Sequence, residues 1–392
     1  MDTHHRMKPA APARRAVVLA AVCLAALCMP LSFTGPAIAI PAIAADLHGT
    51  PLALAWITNA FMLSFGGCLM AAGALADRYG RKRVFLLGMG VFSAAALALS
   101  AAPGIVWLDV LRAVQGLGCA MALSSGLAAL AQEFDGPARA RAFSLIGTAF
   151  GVGLAFGPFL AGTLITHTGW RAIFIATAAA SLTALLAAAR AMRESRDPQA
   201  QGVDWPGALT FTGALSLFTY GLLQAPDSGW GSPASLGLLG GAALLLAVFI
   251  RVERRAARPM LDLTLFRLPA FAGVQLLAAA PAFSFVVLLV LLPARFIGIE
   301  GYSAFDAGRM MIALSAPMLV LPVLAGMAAQ RIAAAHICAC GLLLAAAGLL
   351  WLSTCMPGQP PASLLGPLLL IGCGISLPWG LMDGLAISVV PV

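Results

Sequence analysis

Apolar runs of about 20 residues recur from one end of the chain to the other, separated by short polar or basic segments. A helix of that length crosses about 30 Å of hydrocarbon. The runs fall near residues 16–37, 52–75, 84–102, 105–130, 140–165, 171–190, 205–224, 233–251, 270–293, 305–329, 335–355 and 363–388, which predicts twelve spans. They are rich in Ala, Leu and Gly and lack the period-2 alternation of barrel strands. Only helices and closed barrels satisfy every backbone polar group inside lipid. The chain is therefore expected to be an all-α integral membrane protein, with about twelve transmembrane helices.

Composition supports that reading. Hydrophobic residues make up 61% of the 392 and charged residues 10%, too little polar surface for a soluble domain of this size. A net charge of +8 raises the question of a nucleic-acid partner, but the basic residues are confined to short clusters between apolar runs. With the N-terminus placed in the cytoplasm, only Arg171, Arg295 and Arg309 of the 23 Lys and Arg fall in outer segments, and Arg112 alone falls inside a span. That bias sets the orientation and supports the span count, since one missed span would invert every later loop. Arg14-Arg15, the following apolar stretch and Ala42-Ile43-Ala44 imitate a secretory signal. The stretch runs from Ala16 to about Ala45, longer than a signal core, so it is read as a retained first span. The eight Cys lie almost entirely in apolar runs, and Cys338 and Cys340, two apart, do not share a helix face. No metal spacing or disulfide framework is visible, and no catalytic motif such as HExxH occurs. A transporter is favoured over a membrane enzyme or channel, with no metal and no cofactor. The bilayer and a small-molecule substrate are its expected partners, without nucleic acid or an obligate protein.

Two cytoplasmic segments differ from the rest. Residues 191–204 are polar and charged and read as a linker. Residues 251–269 are basic and read equally as a surface-lying segment or an ordinary solvated loop. A faint repeat places Gly73, Asp77 and Arg78 at the end of the second span and Gly326, Gln330 and Arg331 at the end of the tenth.

Three stretches carry mechanism. The first is Gly73-Ala-Leu-Ala-Asp77-Arg78-Tyr79-Gly80-Arg81-Lys82-Arg83, between the second and third spans. Gly73 would allow a close helix approach, Asp77 would accept from a neighbouring helix N-terminus, and the basic run would anchor the loop at the inner face. The second, in the fourth span, contains Asp109, Arg112, Gln115 and Gly116. An intramembrane Arg costs roughly 2.5–3.5 kcal/mol on insertion scales. It should face protein or water and pair with Asp109 one turn away, unless it snorkels to the outer surface. The third, in the fifth span, contains Gly153, Gly157, Pro158 and Gly162, a thin and bendable helix, with simple small-residue packing as the alternative.

The first stretch closely resembles the cytoplasmic loop signature of the major facilitator superfamily. The second and third are similar to that family's fourth-span and antiporter signatures. Gly169-Trp170-Arg171, Asp204-Trp205-Pro206-Gly207, Gly229-Trp230 and Gly301–Gly308 resemble features of its 14-span drug:proton antiporter branch. The resemblance implies major facilitator-type helical bundles: a six-helix bundle at 1–190, a linker with two extra spans and a basic loop at 191–269, and four of six helices of a second bundle at 270–392. It implies proton-coupled efflux of small apolar or amphipathic molecules from a bacterial inner membrane, by alternating access, with the proton gradient as energy source. Gly73, Asp77, Arg78, Gly80 and Arg81 would gate. Asp109, Arg112, Gln115 and Gly116 would serve coupling or the cavity. Departures exist: Ser32 stands where the branch often carries a first-span acid, and Gln330 replaces the acid of the second loop signature. Asp383 is a possible intramembrane acid. About twelve of an expected 14 spans are present, and the chain stops where relatives of that branch continue. A non-transporting fragment is thus the alternative function, and small residues near Gly372 and Gly374 would then face lipid.

Overall fold

The structure, a computed structural model, describes residues 12–197, 204–256, 261, 263–382 and 385. Asp383 lies outside the described residues. The first six helices are α1 (Pro12–Leu47), α2 (Pro51–Tyr79), α3 (Arg81–Ser100), α4 (Ile105–Glu133), α5 (Gly136–Thr168) and α6 (Arg171–Ala191). Next come α7 (Trp205–Ser228) and α8 (Pro233–Glu253). The ninth span is α9 (Pro269–Pro281) and α10 (Val287–Gly298), joined by a π-turn at Ala282–Val286. The tenth is α11 (Ala304–Ser315) and α12 (Leu321–Ala328), joined by a 3₁₀ turn at Ala316–Leu319. The last two are α13 (Ala334–Ser353) and α14 (Pro361–Trp379).

Helix thus occupies every predicted span, and eleven of the described helical segments are long and apolar enough to cross a membrane. The twelfth, α7, reaches 24 residues but dilutes its apolar content with Thr210, Thr212, Ser216, Thr219 and Tyr220. Starts are set by short polar side chains followed by proline. Thr50, Asp204 and Ser232 each accept a backbone N–H of the first turn, ahead of Pro51, Pro206 and Pro233. The break in the tenth span follows from Pro317 and Pro322, which lack the N–H groups that Ala313 and Met318 carbonyls would receive in an unbroken helix.

In the first group, α1 packs on α5 and α6, α4 packs on α2 and α3, and α3 packs on α6. The α7–α8 pair leans on α2, where the Thr212 hydroxyl donates to the Gly67 carbonyl at 3.0 Å. In the second group, α14 packs on α13 and α11. The two groups meet along α5–α11 and α1–α10, and a shared core joins Phe33 and Leu154 to Phe285, Leu289, Phe296 and Leu314.

One expectation is corrected here. Gly372 and Gly374 do not face lipid. Both are buried, because α14 turns its small-residue face onto its neighbours. A Cβ on Gly372 would stand 2.1 Å from the Leu314 carbonyl oxygen, and one on Gly374 2.4 Å from the Ala345 nitrogen. The start of segment 191–204 is held in place. The Arg81 N–H donates to the Ser195 carbonyl at 2.8 Å, and the Asp197 N–H donates to the Asp77 carbonyl at 3.0 Å, so this strand of chain is strapped across the turn between α2 and α3.

Candidate functional site

Among the described residues, Arg112 is the largest fully buried side chain. Its Nε donates to the Ile57 carbonyl at 2.7 Å, Nη1 to Gln115 Oε1 at 2.6 Å and Nη2 to the Ser32 carbonyl at 2.7 Å. The guanidinium also lies over the Phe61 ring, 4.3 Å from its centroid. One cation therefore ties α4 to α1 and α2. The Ser32 contact has a local cause. Pro36, four residues on, has no N–H, so the Ser32 carbonyl is left without its helical donor and Arg112 supplies one. Arg112 does not snorkel.

The expected Arg112–Asp109 ion pair is absent. The guanidinium is spent on Gln115, three residues inward, and on two backbone carbonyls, whereas Asp109 lies one turn outward. Asp109 is half-buried, and its Oδ1 is shielded without a hydrogen-bond partner. Ser32 Oγ, Thr58 Oγ1 and Gln115 Nε2 are also buried without partners. Gly116 completes the crossing of α4 over α2: a Cβ there would stand 2.3 Å from the Phe61 carbonyl oxygen.

The fifth helix lies between the groups. A Cβ on Gly153 would meet Pro30 Cγ at 2.4 Å, and one on Gly157 would meet Thr34 Oγ1 at 2.3 Å, so both glycines admit α1. Further out, a Cβ on Gly162 would stand 2.2 Å from the Ala304 carbonyl oxygen. Gly308 of α11 is as tight against the Pro158 carbonyl oxygen, at 2.5 Å. The α5 glycines thus admit two neighbours, α1 through Gly153 and Gly157 and α11 through Gly162.

At the α2–α3 turn, Asp77 Oδ1 accepts from Arg81 Nε at 3.0 Å and Nη2 at 2.8 Å, and Arg81 Nη1 reaches the Ala128 carbonyl at 3.3 Å. Arg78 stacks on the neighbouring Tyr79 ring at 5.2 Å. The sequence reading gave Asp77 the part of an anion at a helix N-terminus. Glu194, which that reading passed over, fills it. Its carboxylate accepts from Lys82 N at 3.0 Å and Arg83 N at 3.2 Å, in the first turn of α3. Asp77 points instead at the Arg81 side chain, because i,i+4 spacing across the turn brings the two together. Gly80 has φ +115°, and a Cβ on it would stand 2.5 Å from Glu194 Oε1. Gly73 is not at a close crossing, since its Cβ would find only Ser124 Cβ at 3.9 Å, an ordinary contact. Its counterpart in the repeat, Gly326, opens onto empty space. Gly80→Ala is therefore expected to destabilise the protein by about 1–2 kcal/mol, and Gly73→Ala, which meets no clash inside α2, to stabilise it by up to about 1 kcal/mol. Melting of the purified variants in detergent checks both.

Two further links were not legible in the sequence. At the end of the bundle that holds the α2–α3 turn, Arg14 Nη2 pairs with Glu133 at 2.5 Å and Nη1 donates to the Ala191 carbonyl at 2.7 Å, joining α1, α4 and α6. At the opposite end, Asp46 accepts from Trp170 Nε1 at 3.0 Å and Arg171 Nη1 at 2.6 Å, joining α1 to α6.

The described residues thus form a two-group bundle of membrane helices with a buried cation in one group and a glycine-thinned helix at the junction. Residues 22–392 match the family description Major Facilitator Superfamily, and the chain belongs to that family. It is 31% identical over 376 residues to the tetracenomycin C resistance and export protein of Streptomyces glaucescens, covering 95% of this chain and 68% of that protein. It is 32% identical over 375 residues to the cephamycin export protein CmcT of Amycolatopsis lactamdurans, covering 94% and 77%. The multidrug resistance protein Stp of Mycobacterium tuberculosis is 31% identical over 356 residues, covering 90% of this chain and 66% of that one. The chain thus spans roughly two thirds to three quarters of these relatives' length. Among solved structures, the peptide transporter POT in complex with sulfate superposes with a TM-score of 0.66 at 15% identity, covering 94% of this chain and 86% of that chain. At that identity the likeness speaks for the fold alone. The protein is a multi-pass membrane transporter and not an enzyme.

Proposed function

We propose that the chain is a proton-coupled exporter of small apolar or amphipathic molecules, of the 14-span drug:proton antiporter branch, with its N-terminus in the cytoplasm. The observation that carries the alternating-access reading is the double seating of α5, on α1 through Gly153 and Gly157 and on α11 through Gly162. A helix seated on smooth glycine surfaces can slide or part from one neighbour without unpacking from the other. Relatives named for export of tetracenomycin C and cephamycin support the direction of transport and the substrate class. The excess of Lys and Arg in alternate loops supports the orientation.

The test is efflux of ethidium from sealed vesicles holding the full chain, with and without an imposed pH gradient. Gradient-stimulated efflux is the expected result. Its absence, with protein correctly inserted, would contradict the reading and favour a non-transporting chain. Within that assay Asp77→Asn is expected to slow turnover at least tenfold while leaving membrane abundance intact. It removes the charge that holds Arg81 across the α2–α3 turn. Wild-type turnover at equal abundance would show that this turn does not gate.

A further inference from the structure

Arg112 carries a full charge in the interior of the first helical group, and no ion-pair partner is bonded to it. Its guanidinium bonds two backbone carbonyls and an amide oxygen, all neutral. The surrounding spans offer no further charge. From Ala16 to Ala45 in α1, Pro51 to Ala76 in α2, Val84 to Ser100 in α3 and Ala142 to Thr166 in α5 there is no Asp, Glu, Lys, Arg or His. The other titratable groups on these helices and the turn after α1 include the buried thiols of Cys28 and Cys119, the half-buried thiols of Cys23 and Cys68, the exposed His48, and Asp46, which Arg171 and Trp170 hold. One carboxylate is left, that of Asp109, one turn outward of Arg112 on α4.

Asp109 has the features of a group that changes charge. It is the fifth residue of α4, near the outer end of the span. It is half-buried, with one oxygen shielded and unbonded and the residue itself still partly accessible. A permanently charged carboxylate so placed would be expected to recruit a donor, yet the nearby guanidinium has been committed elsewhere. The buried, unpartnered Ser32, Thr58 and Gln115 side-chain atoms belong to residues at or beside Arg112's own contacts.

We propose that Asp109 is a proton-binding site facing the outer side. The carboxylate takes one proton from the outer solution to become a neutral carboxyl, and returns it as the carboxylate. In the charged form the Asp109–Arg112 couple is neutral overall. In the protonated form it carries the net charge of Arg112 alone, so one proton switches the field inside the first group. This rests on the proton-coupled reading above. It also assigns to the fourth span a titrating acid that the first span lacks, where Ser32 stands.

The test combines a spectroscopic arm, which does not depend on transport, with an efflux arm. Infrared difference spectra of the full chain in lipid vesicles are recorded over a series of pH steps. The wild type should show a carboxyl C=O band that comes and goes with pH. Asp109→Asn should lose it, Asp77→Asn should retain it, and Asp109→Glu should show a titrating band at a shifted frequency, which guards against simple misfolding of the Asn variant. In the efflux arm, Asp109→Asn should lose at least tenfold of the pH-gradient stimulation of ethidium export. An unchanged infrared band in Asp109→Asn overturns the proposal, as does a folded Asp109→Glu protein with no titrating band. If no protein moves ethidium, the exporter reading fails, while the infrared arm still decides Asp109.

Discussion

Arg112→Ala is expected to abolish transport and to lower the melting temperature of the protein in detergent. The substitution strips the donor from the Ser32 carbonyl, which Pro36 cannot replace, and from Gln115 Oε1. Each buried acceptor left unsatisfied costs about 1–3 kcal/mol. The Ile57 carbonyl suffers less, because its own helix still supplies an N–H. Removing a buried charge returns part of the loss, so the net effect on stability is expected near the value for a single orphaned acceptor, about 1–3 kcal/mol. The effect on transport should be larger, since α1, α2 and α4 lose their common tie beside Pro36 of α1. Arg112→Lys separates charge from geometry. An ammonium keeps the charge and can reach one or two acceptors, but lacks the planar fork that serves all three. Stability should be partly restored, and transport should recover only as far as charge alone is used. Wild-type melting and efflux in both variants would show that the tie is dispensable.

Gly162→Ala should fold normally and fail to hold α5 against α11. The added methyl would stand 2.2 Å from the Ala304 carbonyl oxygen and 2.8 Å from its carbon, and neither backbone atom can yield by a rotamer change. Overpacking of this kind costs about 1–3 kcal/mol, and about 1.4 kcal/mol is a factor of ten in an equilibrium. The closed seating of the two helices should therefore weaken by roughly 5- to 100-fold. Alanine also favours the helix by about 1 kcal/mol over glycine, whether or not the groups are closed. Overall melting should consequently change little while the junction opens. Faster amide exchange over residues 300–310, together with at least tenfold slower efflux, is the expected pair of results. Gly147→Ala serves as the control, because a Cβ there meets open space. Unaltered exchange in Gly162→Ala would mean that the close approach is not what shuts this end of the junction.

Much of the site could be read from residue types alone, but not what each residue touches. The buried Arg112 was legible because an arginine amid apolar residues is expensive anywhere but in protein or water. That it would choose the Ser32 carbonyl over the Asp109 carboxylate was not, because the choice depends on how Pro36 in another helix frees an acceptor. Glu194 was missed for a related reason. It follows α3 by more than 90 positions, and a lone Glu in a charged segment carries no local sign that it will cap another helix. The glycines of α5 announced a thin helix. Only assembly showed that Gly153 and Gly157 serve α1 whereas Gly162 serves α11.

The sequence by itself placed a helix in each apolar run, while the bounds of α1 and the interruptions of the ninth and tenth spans appeared only in the structure. That placement depends on the length of apolar runs and on prolines and short polar caps, all local to a stretch of about 20 residues. The sequence also determined the family, through motifs whose residues are contiguous. The tertiary structure alone decided the turn of α14 that buries Gly372 and Gly374, the strap of residues 192–197 over the α2–α3 turn, and the isolation of Asp109 from its expected partner. Inside lipid, apolar burial scarcely distinguishes one helix face from another. Rotation and partner are set by close van der Waals fit and by which polar atoms remain to be satisfied. Those quantities come into existence only when helices distant in the chain are brought side by side.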